Sequence, residues 1–168
     1  MNDEREVDSV KITVIAFGTL SERHFADAFA EYARRLAPVC AFECVELREK
    51  RLAADPSPAG IAAALDAEGR EALARIPPRA CAVVLAVEGK AMTSEALAGF
   101  IDAKMSAGTS EFAFVIGSSY GLSPEVKRRA DLLLSMSAMT FPHQLARVML
   151  AEQIYRAMQI RAGTKYHK

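Results

Sequence analysis

The 168-residue sequence has no tryptophan, only 7% aromatic residues and three cysteines. Cys40, Cys44 and Cys81 are odd in number, form no CxxC pair and sit in apolar stretches. A disulfide framework is excluded, and buried thiols in a reducing compartment are expected. No apolar run reaches the roughly 18 residues that span a membrane. The opening Met1–Ser9 is acidic and polar, the opposite of a secretory leader, so a cytoplasmic protein with a disordered extension over 1–9 is expected. Net charge is absent too: Lys plus Arg and Asp plus Glu both number 21, which excludes a general polycation coating nucleic acid. His24, His143 and His167 lack ligand-like spacing, so no metal site is expected. No GxGxxG occurs, and Gly89-Lys90 lacks the upstream glycine of a Walker A loop because Val84 stands there.

What is present is alanine: the hydrophobic fraction of 51% includes 31 alanines, so much of the apolar content is helix-forming. The length suits one domain, expected over 10–168, able to bury a core without covalent staples. The neutral total hides an asymmetry. From Lys127 to Lys168, eight basic residues face only Asp131 and Glu152, leaving +6 there and −6 over the first 126 residues. That split suggests an anionic partner for the C-terminal end, against the simpler reading of a solvated helix face.

Hydrophobic period alternates between 2 and 3.6 along the whole chain. Strands are expected at Val10–Phe17, Ala41–Leu47, Ala80–Val87, Phe112–Ile116 and Leu132–Ser135. Helices are expected after Ser21 up to Pro38, from Pro58 to Arg75, from about Ser94 to Ala107, a short basic one capped by Ser123-Pro124, and one opened by Thr140–Pro142 that ends at Gly163. Glu88-Gly89-Lys90 reads as a turn. The alternation implies an α/β domain with a mostly parallel sheet and flanking helices. Because chains almost never thread loops, these rules alone predict an open, flavodoxin-like sheet. Ligands in such folds bind beyond the carboxyl ends of the strands, which singles out Gly117–Gly121, Ser135–Pro142 and the turn after Val87.

Gly117-Ser118-Ser119-Tyr120-Gly121 matches GxSxG after a buried strand, and Ser119, Asp131 and His143 follow the chain order of an α/β-hydrolase triad. Against a serine hydrolase, Leu122-Ser123-Pro124 delays the helix by some five residues and no HGGG-type oxyanion loop occurs. Ser135–His143 ends a buried strand in small and polar residues, with Met136, Met139 and Phe141 able to flank an aromatic ligand and free N–H groups at the following helix start. The tail Lys165-Tyr166-His167-Lys168 combines stacking rings with cations, as in proteins that hold looped RNA.

Leu85-Ala-Val-Glu-Gly-Lys90, Phe114-Val-Ile-Gly117 with Gly121-Leu122-Ser123, Leu134 through Arg147 with its Thr140-Phe-Pro-His143 block, Glu152-Gln-Ile-Tyr-Arg156 and the Tyr166-His167-Lys168 ending together resemble the RlmH family of SPOUT-class ribosomal RNA methyltransferases. The resemblance runs from about Val10 to Lys168. It implies S-adenosylmethionine-dependent methylation of N3 of a pseudouridine in 23S rRNA, performed by a homodimer on the assembled ribosome, with a deep trefoil knot near the C-terminus cradling the cofactor. By matching position, Leu85, Gly117, Met136, Ser137, Ala138, Met139, Thr140 and Phe141 would line the cofactor site. His143 and Arg147, one turn on, are the catalytic candidates, with Tyr166 and His167. Arg147, Lys165, Tyr166, His167 and Lys168 would contact RNA. Ser118 stands where the family usually has a second glycine. That is a place for strained dihedrals, and the one feature pointing to a non-catalytic ribosome-binding or assembly factor.

Overall fold

A computed structural model describes residues 10–168; the extension expected over 1–9 lies outside the described residues. The chain runs β1 (Lys11–Phe17), α1 (Arg23–Leu36), β2 (Ala41–Leu47), α2 (Pro58–Arg75), β3 (Cys81–Ala91), α3 (Ser94–Ser106), β4 (Glu111–Ile116), α4 (Pro124–Arg129), β5 (Leu132–Ser135) and α5 (His143–Arg161). All five strands are parallel, in the order β2-β1-β4-β3-β5. A flavodoxin-like sheet would place β3 beside β1, so the expected order is corrected: β3 and β4 exchange places, and β5 pairs on the outer side of β3.

Strand period sorts the core into two layers. Ile12, Val14 and Ala16 of β1 and Phe112, Phe114 and Ile116 of β4 face the helix layer of α1, α3 and α5. Ile15 and Phe17, with Ala113 and Val115, face the layer that holds Ala72 of α2 and Val126 of α4. Helix starts follow local chemistry. Ser57 Oγ accepts from Gly60 N–H ahead of Pro58, Thr93 Oγ1 accepts from Ala96 N–H, and the buried Ser123 Oγ accepts from Val126 N–H. The N-cap of α5 is Pro142, which offers no side-chain acceptor, so the first amides of that helix stay open to the preceding loop. At its other end Gly163 takes φ +68°, the left-handed stop the sequence suggested.

One segment departs from expectation in a way that matters. Glu88-Gly89-Lys90 is not a simple turn: β3 continues to Ala91 after a register break between Leu85 and Lys90, with Leu134 opposite both. A Cβ at Gly89 would lie 2.8 Å from the carbonyl carbon and oxygen of Leu133, so only glycine lets the two backbones approach this closely. Meanwhile α5 packs against both α1 and α3, filling the layer between them. From β5 at the sheet edge to α5 inside that layer, the chain must pass the β3–α3 connection.

Candidate functional site

The ladder between β3 and β4 stops at Val84 opposite Val115, while both strands run on. Their ends therefore part, with Leu85 on one side and Gly117 on the other. The next strand over, β5, ends level with this gap, because Leu85 pairs with Leu134. Three loops converge there, as the carboxyl-end rule requires. Along the third, Met136, Ala138, Thr140 and Phe141 make no main-chain hydrogen bond to another main-chain group among the described residues. Ser137 Oγ accepts from Met139 N–H, and Ser135 Oγ donates to the Ser137 carbonyl, so short side chains hold the loop open. Leu85, Met136 and Phe141 are half-buried and Met139 is exposed.

Gly117 sits at a forced close approach: a Cβ there would meet the Gly121 carbonyl oxygen at 2.5 Å. The Gly121 N–H donates back to the Ser118 carbonyl at 2.9 Å, closing a tight turn. Ser118 needs no strained backbone, since no described non-glycine residue has positive φ. Its hydroxyl instead donates to Glu68 Oε2 at 2.7 Å, and Glu68 Oε1 accepts from Lys50 N–H at 2.8 Å. Glu68 on α2 is buried, and sequence reasoning missed it. The readable signal was its neighbour Gly69, a mid-helix glycine whose Cβ would fall 2.2 Å from Ser123 Oγ.

The GxSxG triad is dismantled. Asp131 lies at the opposite, amino end of the strands, where its carboxylate accepts from Ala82 N–H at 2.7 Å and pairs with Arg129. Ser119 follows the carboxyl end of β4. Parallel strands keep the two apart by the length of the sheet, so the hydrolase alternative is corrected.

The remaining candidates fall at two ends of α5. At its start His143 lies beside β1, with Nε2 3.9 Å from where a Cβ on Gly18 would sit. Arg147 is buried beneath it, donating to Glu46 Oε2 at 2.7 Å and to the carbonyls of Gly18 and Phe17 at 2.9 and 3.3 Å. Its two terminal nitrogens are engaged by these internal acceptors, while its Nε is buried without a hydrogen-bond partner. These contacts tie α5 to the carboxyl ends of β1 and β2.

At the other end the tail folds back instead of trailing free. Tyr166 lies edge-on to Tyr155 with ring centroids 4.8 Å apart, and the Arg156 guanidinium sits 4.8 Å from the Tyr166 ring centre. Its hydroxyl donates to Glu152 Oε1 at 3.2 Å, and burial raises its pKa above the ordinary tyrosine value. His167 bridges two helices, with Nε2 2.6 Å from Glu95 Oε1 and Nδ1 3.3 Å from Arg156 Nη1. A guanidinium only donates, so Nδ1 is the acceptor and Nε2 carries the hydrogen given to Glu95. Lys165 and Lys168 are exposed. Glu152, which holds both Arg156 and Tyr166, also lines a cavity of about 300 Å³ with Met92, Leu134 and Met136, so the tail adjoins the third site loop.

The thiols take no part in this chemistry. Cys40 and Cys81 are buried, Cys44 is only half-buried, all three are free, and burial pushes each up to about 11. No group of three or more His, Cys, Asp or Glu that could hold a metal occurs among the described residues. No described helix is long and apolar enough to cross a membrane.

In a parallel α/β domain, the crevice where strands part at their carboxyl ends is where ligands bind. Residues 10–167 match the family model described as Predicted SPOUT methyltransferase, and the chain belongs to the SPOUT methyltransferase family. A probable methylase family protein from Haemophilus influenzae Rd KW20 is similar in structure, with TM-score 0.50 and 13% identity over 94% of this chain and 70% of that one. So is the SpoU methyltransferase AviRb from Streptomyces viridochromogenes, solved with AdoMet, with TM-score 0.45 and 14% identity over 94% of this chain and 62% of that one. The family's cofactor is S-adenosylmethionine. The residues fit it: an adenine needs apolar walls and main-chain partners rather than charge, and Leu85, Met136, Phe141 and the loop main chain supply both.

Proposed function

We propose that this chain transfers a methyl group to N3 of a pseudouridine in 23S rRNA, acting in the cytoplasm on the assembled ribosome as an RlmH-type homodimer. The observation that carries this reading is the convergence of Leu85, Gly117 and Met136–Phe141 where β3 and β4 part, with the Tyr166-His167-Lys168 ending docked beside the same loop. When bound, S-adenosylmethionine supplies an electrophilic methyl group. Gly117 and the loop Met136–Phe141 hold and orient it, and orientation of this kind is worth ~7–11 kcal/mol in well-placed reactions. The N3–H proton of the base has to leave. His143 is the candidate to take it, because its ring makes no hydrogen bond among the described residues, whereas both nitrogens of His167 are engaged while the tail is docked. Lys165, Lys168 and, once undocked, Tyr166 and His167 face the RNA.

Two further features support parts of the reading. Leu145, Val148 and Met149 of α5 stay half-exposed although Leu150, Ala151 and Ile154 already fill the core, which leaves an apolar face for a second copy. The passage of Met136–Pro142 by the β3–α3 connection, with Gly89 pressed on Leu133, fits the trefoil knot of the class.

The test uses ribosomes from a strain lacking the gene, purified protein and labelled S-adenosylmethionine, with the modified nucleoside located by mass spectrometry. Label on N3 of a large-subunit pseudouridine is expected. Label elsewhere, or none despite cofactor binding, overturns the assignment of substrate.

A further inference from the structure

Among the described residues, three large apolar or aromatic side chains stand well exposed: Val87, Tyr120 and Met139. Val87 lies on β3, at the register break, whereas Tyr120 and Met139 lie on two of the site loops. Tyr120, 51% exposed, is held in a way the others are not. Its turn is closed by the Gly121–Ser118 main-chain bond, packed at Gly117 and tied to buried Glu68 through Ser118, so the ring is carried on a rigid tip. Beside it opens a second cavity of about 360 Å³, lined by Glu49, Arg51, Leu52, Leu65, Ser119 and Tyr120. Leu52, Ile61 and Leu65 give it apolar walls, and the buried Glu68, already bonded to Ser118 and the Lys50 N–H, also lines it. Glu49 Oε1 is buried without a hydrogen-bond partner, an acceptor waiting for a donor. Arg51 is exposed and pairs with no carboxylate among the described residues, unlike neighbouring Lys50, whose Nζ lies 2.5 Å from Glu71.

A face for stacking, a buried acceptor and a free cation around one nucleotide-sized hollow are what an unpaired nucleotide needs. We propose that this cavity is a subsite for one unpaired nucleotide of the RNA next to the methylated position. Its base stacks on Tyr120 and gives an N–H to Glu49, while Arg51 holds its phosphate. The subsite rests on the RNA-methylating reading above.

The test has two parts. A fluorescein-labelled single-stranded RNA containing 4-thiouridine is photocrosslinked to the wild-type chain and the attachment mapped by mass spectrometry. Attachment at Tyr120 or Arg51 upholds the subsite; attachment confined to other surfaces, or no binding, overturns it. Second, Tyr120→Ala is expected to raise KM for unmethylated large ribosomal subunits by about tenfold or more, as loss of one stacked base does. Tyr120→Phe should stay near wild type, and titration calorimetry should show unchanged S-adenosylmethionine affinity for both. A wild-type KM in Tyr120→Ala, with RNA still methylated, overturns the subsite and leaves the proposed function standing. Crosslinking at Tyr120 by a chain that methylates no RNA does the reverse.

Discussion

The two ends of α5 each carry an arginine bound to a carboxylate, and they are built on opposite principles. Arg147 has a side chain only 2% exposed and is held by Glu46 and two main-chain carbonyls of the β1 end. Arg156 is 25% exposed, its carboxylate partner Glu152 lies on the same helix, and its other contacts are with the tail. The first pair joins elements far apart in sequence, and because its guanidinium is desolvated, removing the carboxylate alone is costly. The second is a latch, screened by solvent and shared with a segment that can leave. One helix thus anchors the sheet end that shapes the site and, with its far end, parks the residues expected to meet RNA.

The largest effect should come from the carboxylate side of the anchor. Glu46→Ala leaves a buried guanidinium with carbonyls alone and should cost about 3 kcal/mol in urea unfolding. Arg147→Met fills the same volume without a charge, while Glu46, 42% exposed, rehydrates; a loss of about 1–2 kcal/mol is expected. If Arg147→Met proves the more damaging, the buried-charge account of the anchor is wrong. At the latch, Arg156→Ala should change global stability by less than about 1 kcal/mol, yet speed amide exchange at Tyr166 and His167. Unchanged exchange would mean that the tail is held by something other than Arg156.

The smallest effect is a pH window for tail docking. The hydrogen bond from His167 holds the Glu95 carboxyl below its ordinary pKa. Its contribution is present above the ordinary carboxylate value and is lost as pH falls through the lowered one. Burial raises Tyr166, so its contribution is present below the ordinary tyrosine value and is lost as pH rises through the raised one. Chemical shifts of the last three residues should therefore move toward free-peptide values at both extremes, before the core melts. Movement only together with global unfolding would make the tail part of the anchor.

How legible this arrangement is from sequence depends on the range of the forces that set it. Pro58 behind Ser57, Ser123-Pro124 and Gly163 fix helix ends through contacts within a few residues, and those ends lie where local chemistry puts them. Leu132–Ser135 was readable because a short apolar run between polar residues has few other uses. The exchange of β3 and β4 was not: strand order depends on which faces bury together, and β3 and β4 are equally apolar. The break at Leu85–Lys90 was hidden for the same reason, since Gly89 signals a close approach without naming Leu133 as its partner. Of the site, the loops were evident from strand ends, while the fate of Arg147 was not. An arginine one turn into a helix has the same sequence signature whether it meets phosphate or lies under a sheet, and only the position of Glu46 on β2 decides it.

The placement of α5 between α1 and α3 also bears on how the chain is made. Domains fold as units, and the amino-terminal parts of a chain emerge first during synthesis. Here the layer containing Leu36, Ile101, Leu150 and Ile154 cannot close until the last helix arrives. A nascent chain that stalls before His143 displays one apolar face of a nearly finished sheet with nothing to cover it. Truncated products should therefore be aggregation-prone and quickly degraded, and a partly made copy cannot persist as a stable competitor of the complete one.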